Sequence, residues 1–154
     1  MTTIEKTVVI DAPIETCFNL ALDIDLELAA ARKYGLRAIH GVTAGQIGSG
    51  QRVTWQTRQF GFTVRHTSEI TGYQSPTYFQ DRMIAGLFKS YVHDHYFRVI
   101  NPRQTEMRDH LRFSMPAIML GRLTELLLIT KRLESLLSQR NALIKERAEG
   151  TCPS

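Results

Sequence analysis

Five side chains able to hold or move a proton recur on stretches of this sequence that alternate like strands: His66, Asp81, His93, His95 and Asp109. Side chains two apart on a strand share a face. His93 and His95 therefore stand side by side, flanked on that face by Tyr91 and Phe97. Asn101-Pro102-Arg103 reads as a tight turn, which returns the chain so that Asp109 can meet them across the hairpin. An ionised carboxylate is costly to bury unless it is paired, so a cross-strand carboxylate–imidazole contact is expected.

Three kinds of chemistry fit such a cluster. It can be a satisfied structural network that fixes register and side-chain orientation. It can hold the polar end of an otherwise apolar ligand. It can also perform acid–base catalysis, with His93, His95 and Asp109 as candidates and an aspartate tuning one imidazole. Histidines at i and i+2 can chelate, but the third ligand is only inferred, and no metal is expected. The sequence has no nucleophile motif, no phosphate-cradling loop and no cofactor fingerprint, so no cofactor is expected. Gly45 to Gly50 has glycine spacing, yet it lies between strands rather than ahead of a helix.

These residues need a sheet to carry them and something to cover it. Thr3 to Ile10 reads as the first strand, closed by Asp11-Ala12-Pro13, where Asp11 can cap the next helix. Ile14, Phe18, Leu20 and Ala21 give one short helical face, and Asp23 to Tyr34 gives another. Strand signals then dominate: Leu36 to Ala44, Gln51 to Thr57, Phe60 to Ile70, Thr77 to Ile84, Phe88 to Ile100 and Thr105 to Phe113. Glycine-rich or proline-containing turns separate them, including Gly72 to Pro76.

Pro116 to Glu149 reads as one long helix, with Leu120, Leu123, Leu127, Leu133, Leu136, Leu137, Leu143 and Ile144 at helical spacing and Gly150 with Pro153 as the stop. At about 1.5 Å per residue it would be roughly 45 to 50 Å long, enough to span a wide sheet. Its first half is apolar over more than one stripe, which calls for a deep groove or a second chain and leaves a homodimer open. Arg122 and Glu125 interrupt the run, so no membrane span is expected.

The 154 residues favour one domain over 1–154, and 43% hydrophobic with 22% charged content is ordinary for a globule. A formal charge of +4 arises from scattered basic residues, so a solvated surface is expected and DNA is not. Cys17 and Cys152 form neither a disulfide scaffold nor a zinc pattern. No signal peptide is read at the start, which makes the cytoplasm the expected location.

The order of elements, with Val9-Ile10-Asp11-Ala12-Pro13-Ile14-Glu15-Thr16-Cys17-Phe18, Gly86-Leu87-Phe88 before His93-Asp94-His95-Tyr96-Phe97, Thr105-Glu106-Met107-Arg108-Asp109 and Arg140-Asn141-Ala142-Leu143, resembles the START-like or SRPBCC superfamily. The resemblance implies an α+β helix-grip fold. In it a curved antiparallel sheet of about seven strands wraps around the long C-terminal helix, with two short helices between strands one and two.

It also implies a cavity between sheet and helix. Alternation then predicts the ligand-binding wall: Trp55, Phe62, His66, Phe79, Asp81, Met83, Tyr91, His93, His95, Phe97, Met107, Asp109 and Leu111, with Leu120, Leu123 and Leu127 as lid. The expected function is binding or carrying a small to medium hydrophobic molecule. The alternatives are an enzyme resembling polyketide cyclases and dehydrases, and an interaction protein that docks on a larger assembly.

Overall fold

A computed structural model describes residues 1–59, 61–117 and 123–151. Its elements are β1 (Thr2–Ile10), α1 (Ile14–Ala21), α2 (Ile24–Ala30), a 3-10 turn (Arg32–Tyr34), β2 (Arg37–Gly41), β3 (Arg52–Gln59), β4 (Phe62–Gln74), β5 (Tyr78–Ala85), β6 (Ser90–Asn101), β7 (Gln104–Ser114) and α3 (Leu123–Thr151). The strands form a seven-stranded sheet in the order β1-β7-β6-β5-β4-β3-β2, antiparallel throughout. Consecutive strands from β2 to β7 meander, and β1 closes the far edge against β7. This is the helix-grip architecture: α3 lies across the concave face, and the two short helices sit between β1 and β2. No described helix is long and apolar enough to cross a membrane.

Alternation decides what faces inward. In β7, Thr105, Met107, Asp109, Leu111 and Phe113 are buried while their neighbours are not. The inward residues divide into two apolar clusters. Phe18 of α1 drives its ring edge-on against Phe79 and Phe97, at 5.6 and 5.3 Å between centroids, and Met107, Ile144 and Ala148 complete that cluster. The second gathers Ile4, Leu111, Phe113, Met115, Ile129 and Leu137. Burying a side chain of this size contributes about 1.5–3 kcal/mol, which is what holds α1 and α3 on the sheet.

Several local expectations need correction. Asp11 does not cap α1, whose N-cap is Pro13 without a side-chain hydrogen bond. Instead Asp11 accepts a 2.8 Å hydrogen bond from Gln104 Nε2 and ties the end of β1 to the β6–β7 turn. Gly72 is not in a turn but inside β4, at a register shift between Ile70 and Tyr73. A Cβ there would meet the Tyr78 ring at 2.7 Å, so glycine admits that ring. Pro116 lies outside α3, which is described from Leu123 onward. Gly150 does not stop α3 but sits in its last turn, just beyond the fully buried Ala148. Phe60, Leu120, Cys152 and Pro153 fall outside the described residues.

Candidate functional site

Between the two clusters lies a partly open cavity of about 220 Å³. Its floor comes from the inward residues of β3 to β7, including Trp55, Val64, His66, Ser68, Phe79, Asp81, Tyr91, His93, His95 and Leu111. Its roof is the middle of α3, with Ile129, Arg132, Leu133, Leu136, Leu137 and Arg140, and Tyr34 and Glu27 close one side.

One polar group is centred on Asp109, both of whose oxygens are hydrogen-bonded. His95 and Asp109 are direct cross-strand partners, and His93 stands two residues along β6. The His93 Nε2–H donates to Asp109 Oδ1 at 3.0 Å. His95 Nδ1 lies 2.8 Å from the same oxygen yet has no hydrogen-bond partner, so its approach is an off-axis electrostatic contact. Asn141 Nδ2 donates to Asp109 Oδ2 at 2.6 Å. Arg140 Nη1 is 3.7 Å from Asp109, while its Nε donates to Glu27 and its Nη2 to the Ala21 carbonyl, both at 2.8 Å. The network thus joins β6, β7, α3, α2 and α1.

Burial opposes charge on Asp109, but the facing imidazoles overcome it and hold its carboxyl well below the usual range. Burial, followed by the neighbouring His93, pushes His95 down to about 3. Its ring is accordingly neutral at pH 7, stacked on Phe79 at 4.1 Å. The donor atoms of His93, His95 and Asp109 lie within 4.8 Å of one another, close enough to share a cation. Yet both Asp109 oxygens already accept hydrogen bonds and Arg140 supplies the compensating charge, so these donors fit an internal network better than a metal centre.

A second polar group is incomplete. Asp81 Oδ1 is buried without a hydrogen-bond partner, on the strand beside His66 and Tyr91. Burial lowers His66, only partly countered by the charge of Asp81, and burial followed by that same charge raises Tyr91. The His66 and Tyr91 rings meet edge-on at 4.9 Å. On the roof, Arg132 Nε is likewise buried and unpartnered, with its guanidinium 4.6 Å over the Tyr34 ring. The Tyr34 and Ser135 hydroxyls lie 3.2 Å apart, and that contact first, then Lys33, brings the phenol down to about 8. A buried polar atom without a partner costs about 1–3 kcal/mol.

Of the predicted wall, Trp55, His66, Phe79, Asp81, Tyr91, His93, His95 and Leu111 line the cavity. Asp109 is wholly buried beneath it, bound to the residues that do. Phe97 and Met107 belong instead to the cluster around Phe18, because α1 covers that end of the sheet. Met83 does not line the cavity; its sulfur lies beside Gly86, 2.7 Å from where a Cβ would stand. Phe62 is 74% exposed at the start of β4. Leu123 and Leu127 are no lid, being 70% and 53% exposed. The buried stripe of α3 runs through Ile129, Leu137, Arg140, Asn141, Ile144 and Ala148. Leu127 is rotated off that stripe, and Leu123 lies in the first turn beyond its covered length.

Sequence reasoning missed Arg132, Arg140, Asn141, Glu27 and Tyr34 as cavity or network residues. A signal existed for two of them. Counting back from Ile144 in steps of three and four reaches Arg140 and Asn141, where the helical pattern asks for apolar side chains.

The architecture is that of the START-like, helix-grip proteins. Among solved structures, TTHA0849 from Thermus thermophilus superposes with a TM-score of 0.70 at 20% identity, over 93% of this chain and 97% of that one. A START superfamily protein from Mycobacterium smegmatis gives 0.67 at 13% identity, over 97% and 99%. Norcoclaurine synthase from Thalictrum flavum, in complex with dopamine and hydroxybenzaldehyde, gives 0.66 at 12% identity, over 99% and 89%. No family model and no curated protein sequence matches the chain.

Proposed function

We propose that this protein binds a small, largely apolar molecule in the cavity between sheet and α3. The observation that carries this reading is an apolar-walled cavity of about 220 Å³ that also holds buried polar atoms without protein partners. Native proteins pair the great majority of such atoms, so unpaired ones beside a cavity are places for a ligand or water to complete. The volume lies below the ~300–1,000 Å³ typical of drug-sized sites and favours a ligand of one or two rings. The fold neighbour that holds dopamine and hydroxybenzaldehyde supports that size class. His93 and Asp109 take the structural role in this reading, since they are hydrogen-bonded to one another and Asn141 holds the second carboxylate oxygen.

Native mass spectrometry of the purified protein, followed by solvent extraction, tests the proposal. A stoichiometric apolar adduct that dissociates on activation is the expected result. Protein that stays empty and fails to take up apolar probes sinks the reading.

A second reading, a homodimer through the start of α3, is supported by the outward leucines Leu123, Leu127 and Leu128. Sedimentation velocity over a hundredfold concentration range tests it, and a constant monomer mass rejects it.

A further inference from the structure

Three cavity-lining residues carry a buried polar atom without a hydrogen-bond partner; His95 Nδ1 lies against Asp109, which leaves one acceptor and one donor unmatched. Asp81 Oδ1 is on the sheet floor and Arg132 Nε on the helix roof, both buried and without hydrogen-bond partners. Neither fault is relieved by the neighbours. His66 and Tyr91 meet through their rings, and the Arg132 guanidinium lies over the face of Tyr34, which offers π density rather than an acceptor for Nε. The lining also includes the apolar side chains of Trp55, Phe79, Leu133 and Leu136. Water gains nothing from those walls, whereas a ring does.

We infer that the preferred ligand is a hydroxylated ring compound with a carbonyl group at its far end: the hydroxyl donates to Asp81 and the carbonyl oxygen accepts from Arg132. This rests on the cavity being a ligand site and adds the chemical class it takes. Asp81 rejects a ring ether, which has no proton to give. Arg132 rejects an alkyl tail, which leaves its Nε unpaired. A site built to satisfy a polar group discriminates against the analogue that lacks it more sharply than an apolar pocket discriminates by size.

The test is a matched series titrated by calorimetry: 4-(4-hydroxyphenyl)butan-2-one, its phenol methyl ether, 4-butylphenol and butylbenzene. The expected result is that the hydroxy-ketone binds about tenfold more tightly than either the ether or 4-butylphenol. Asp81→Leu then removes the preference over the ether alone, and Arg132→Met removes the preference over 4-butylphenol alone. Asp81→Asn replaces Asp81→Leu if that variant does not fold, with a reduced preference expected. If all four probes bind within about twofold of one another, the cavity is an unselective apolar site; the inference is overturned while the ligand-binding reading stands. If none binds, butylbenzene included, both fall. Preferences that survive both substitutions also overturn it, because they arise elsewhere.

Discussion

The carboxylate of Asp109 finds partners for both oxygens within the protein, whereas two strands away Asp81 leaves one oxygen without any. Both aspartates point inward from the sheet and both have histidines on the neighbouring strand. The difference comes from what lies above them. Over Asp109, α3 brings Asn141 and Arg140, and Arg140 is itself anchored by Glu27 and the Ala21 carbonyl. Over Asp81 there is cavity. Residue type therefore does not separate a carboxylate that the protein satisfies from one that it leaves open; the helix position above it does.

The largest test of that contrast is Asp109→Leu. It strands Arg140 and Asn141 in the interior, and we expect a loss of about 3–5 kcal/mol in urea unfolding. A loss below about 1 kcal/mol would mean that the network is not what holds these elements together. Asn141→Leu removes one donor from Asp109 while keeping volume, with an expected cost of about 2 kcal/mol by the same measurement.

Acid should act mainly through the histidines. Folded His95 titrates at about 3, below its ordinary 6.5, so the folded state binds fewer protons between those values. Its contribution is complete above about pH 6.5 and is lost as pH falls toward 3, by about 1.4 kcal/mol per pH unit. The lowered His66 acts in the same direction. Asp109, held well below the carboxylate range, adds its own loss only at more acidic pH. Unfolding free energies of the parent and His95→Gln from pH 7 to 4 check this, and equal slopes would refute the assignment to His95.

The smallest effect has the opposite sign. Asp81→Leu exchanges an unsatisfied buried oxygen for apolar surface beside a cavity, and a gain of about 1 kcal/mol is expected. A loss comparable to that of Asp109→Leu would show that Asp81 is structural too.

The strands, most of their inward faces and a contact between Asp109 and the histidines across the hairpin can be read from the sequence because period-two alternation and a tight turn are local. The inward position of Asp109 follows for the same reason. What the sequence hides is non-local. Leu123 and Leu127 continue the leucine spacing but lie outside the covered stripe, and no helical period reports where the sheet ends. Phe97 and Met107 face inward as expected; that Phe18 fills the space above them depends on how α1 docks. Arg132 and Arg140 resemble surface basic residues until the cavity beside them is known.

The strand order has a further consequence for how the protein is made. Among the described strands β1 pairs with β7 alone, Ile10 meeting Thr105 and Thr2 meeting Phe113. A chain emerging from the ribosome therefore carries β1 unpaired while residues 11–103 are synthesised, and α3 arrives later still. The β2–β7 meander can form progressively, but the part of its inner face that lies under α3 stays uncovered until that helix is made. Folding should be late and slow for the chain's size, as expected when loop closure must precede the contacts that reward it. Until β7 is made, the unpaired β1 is where a nascent chain is most open to chaperones and to pairing with the wrong strand.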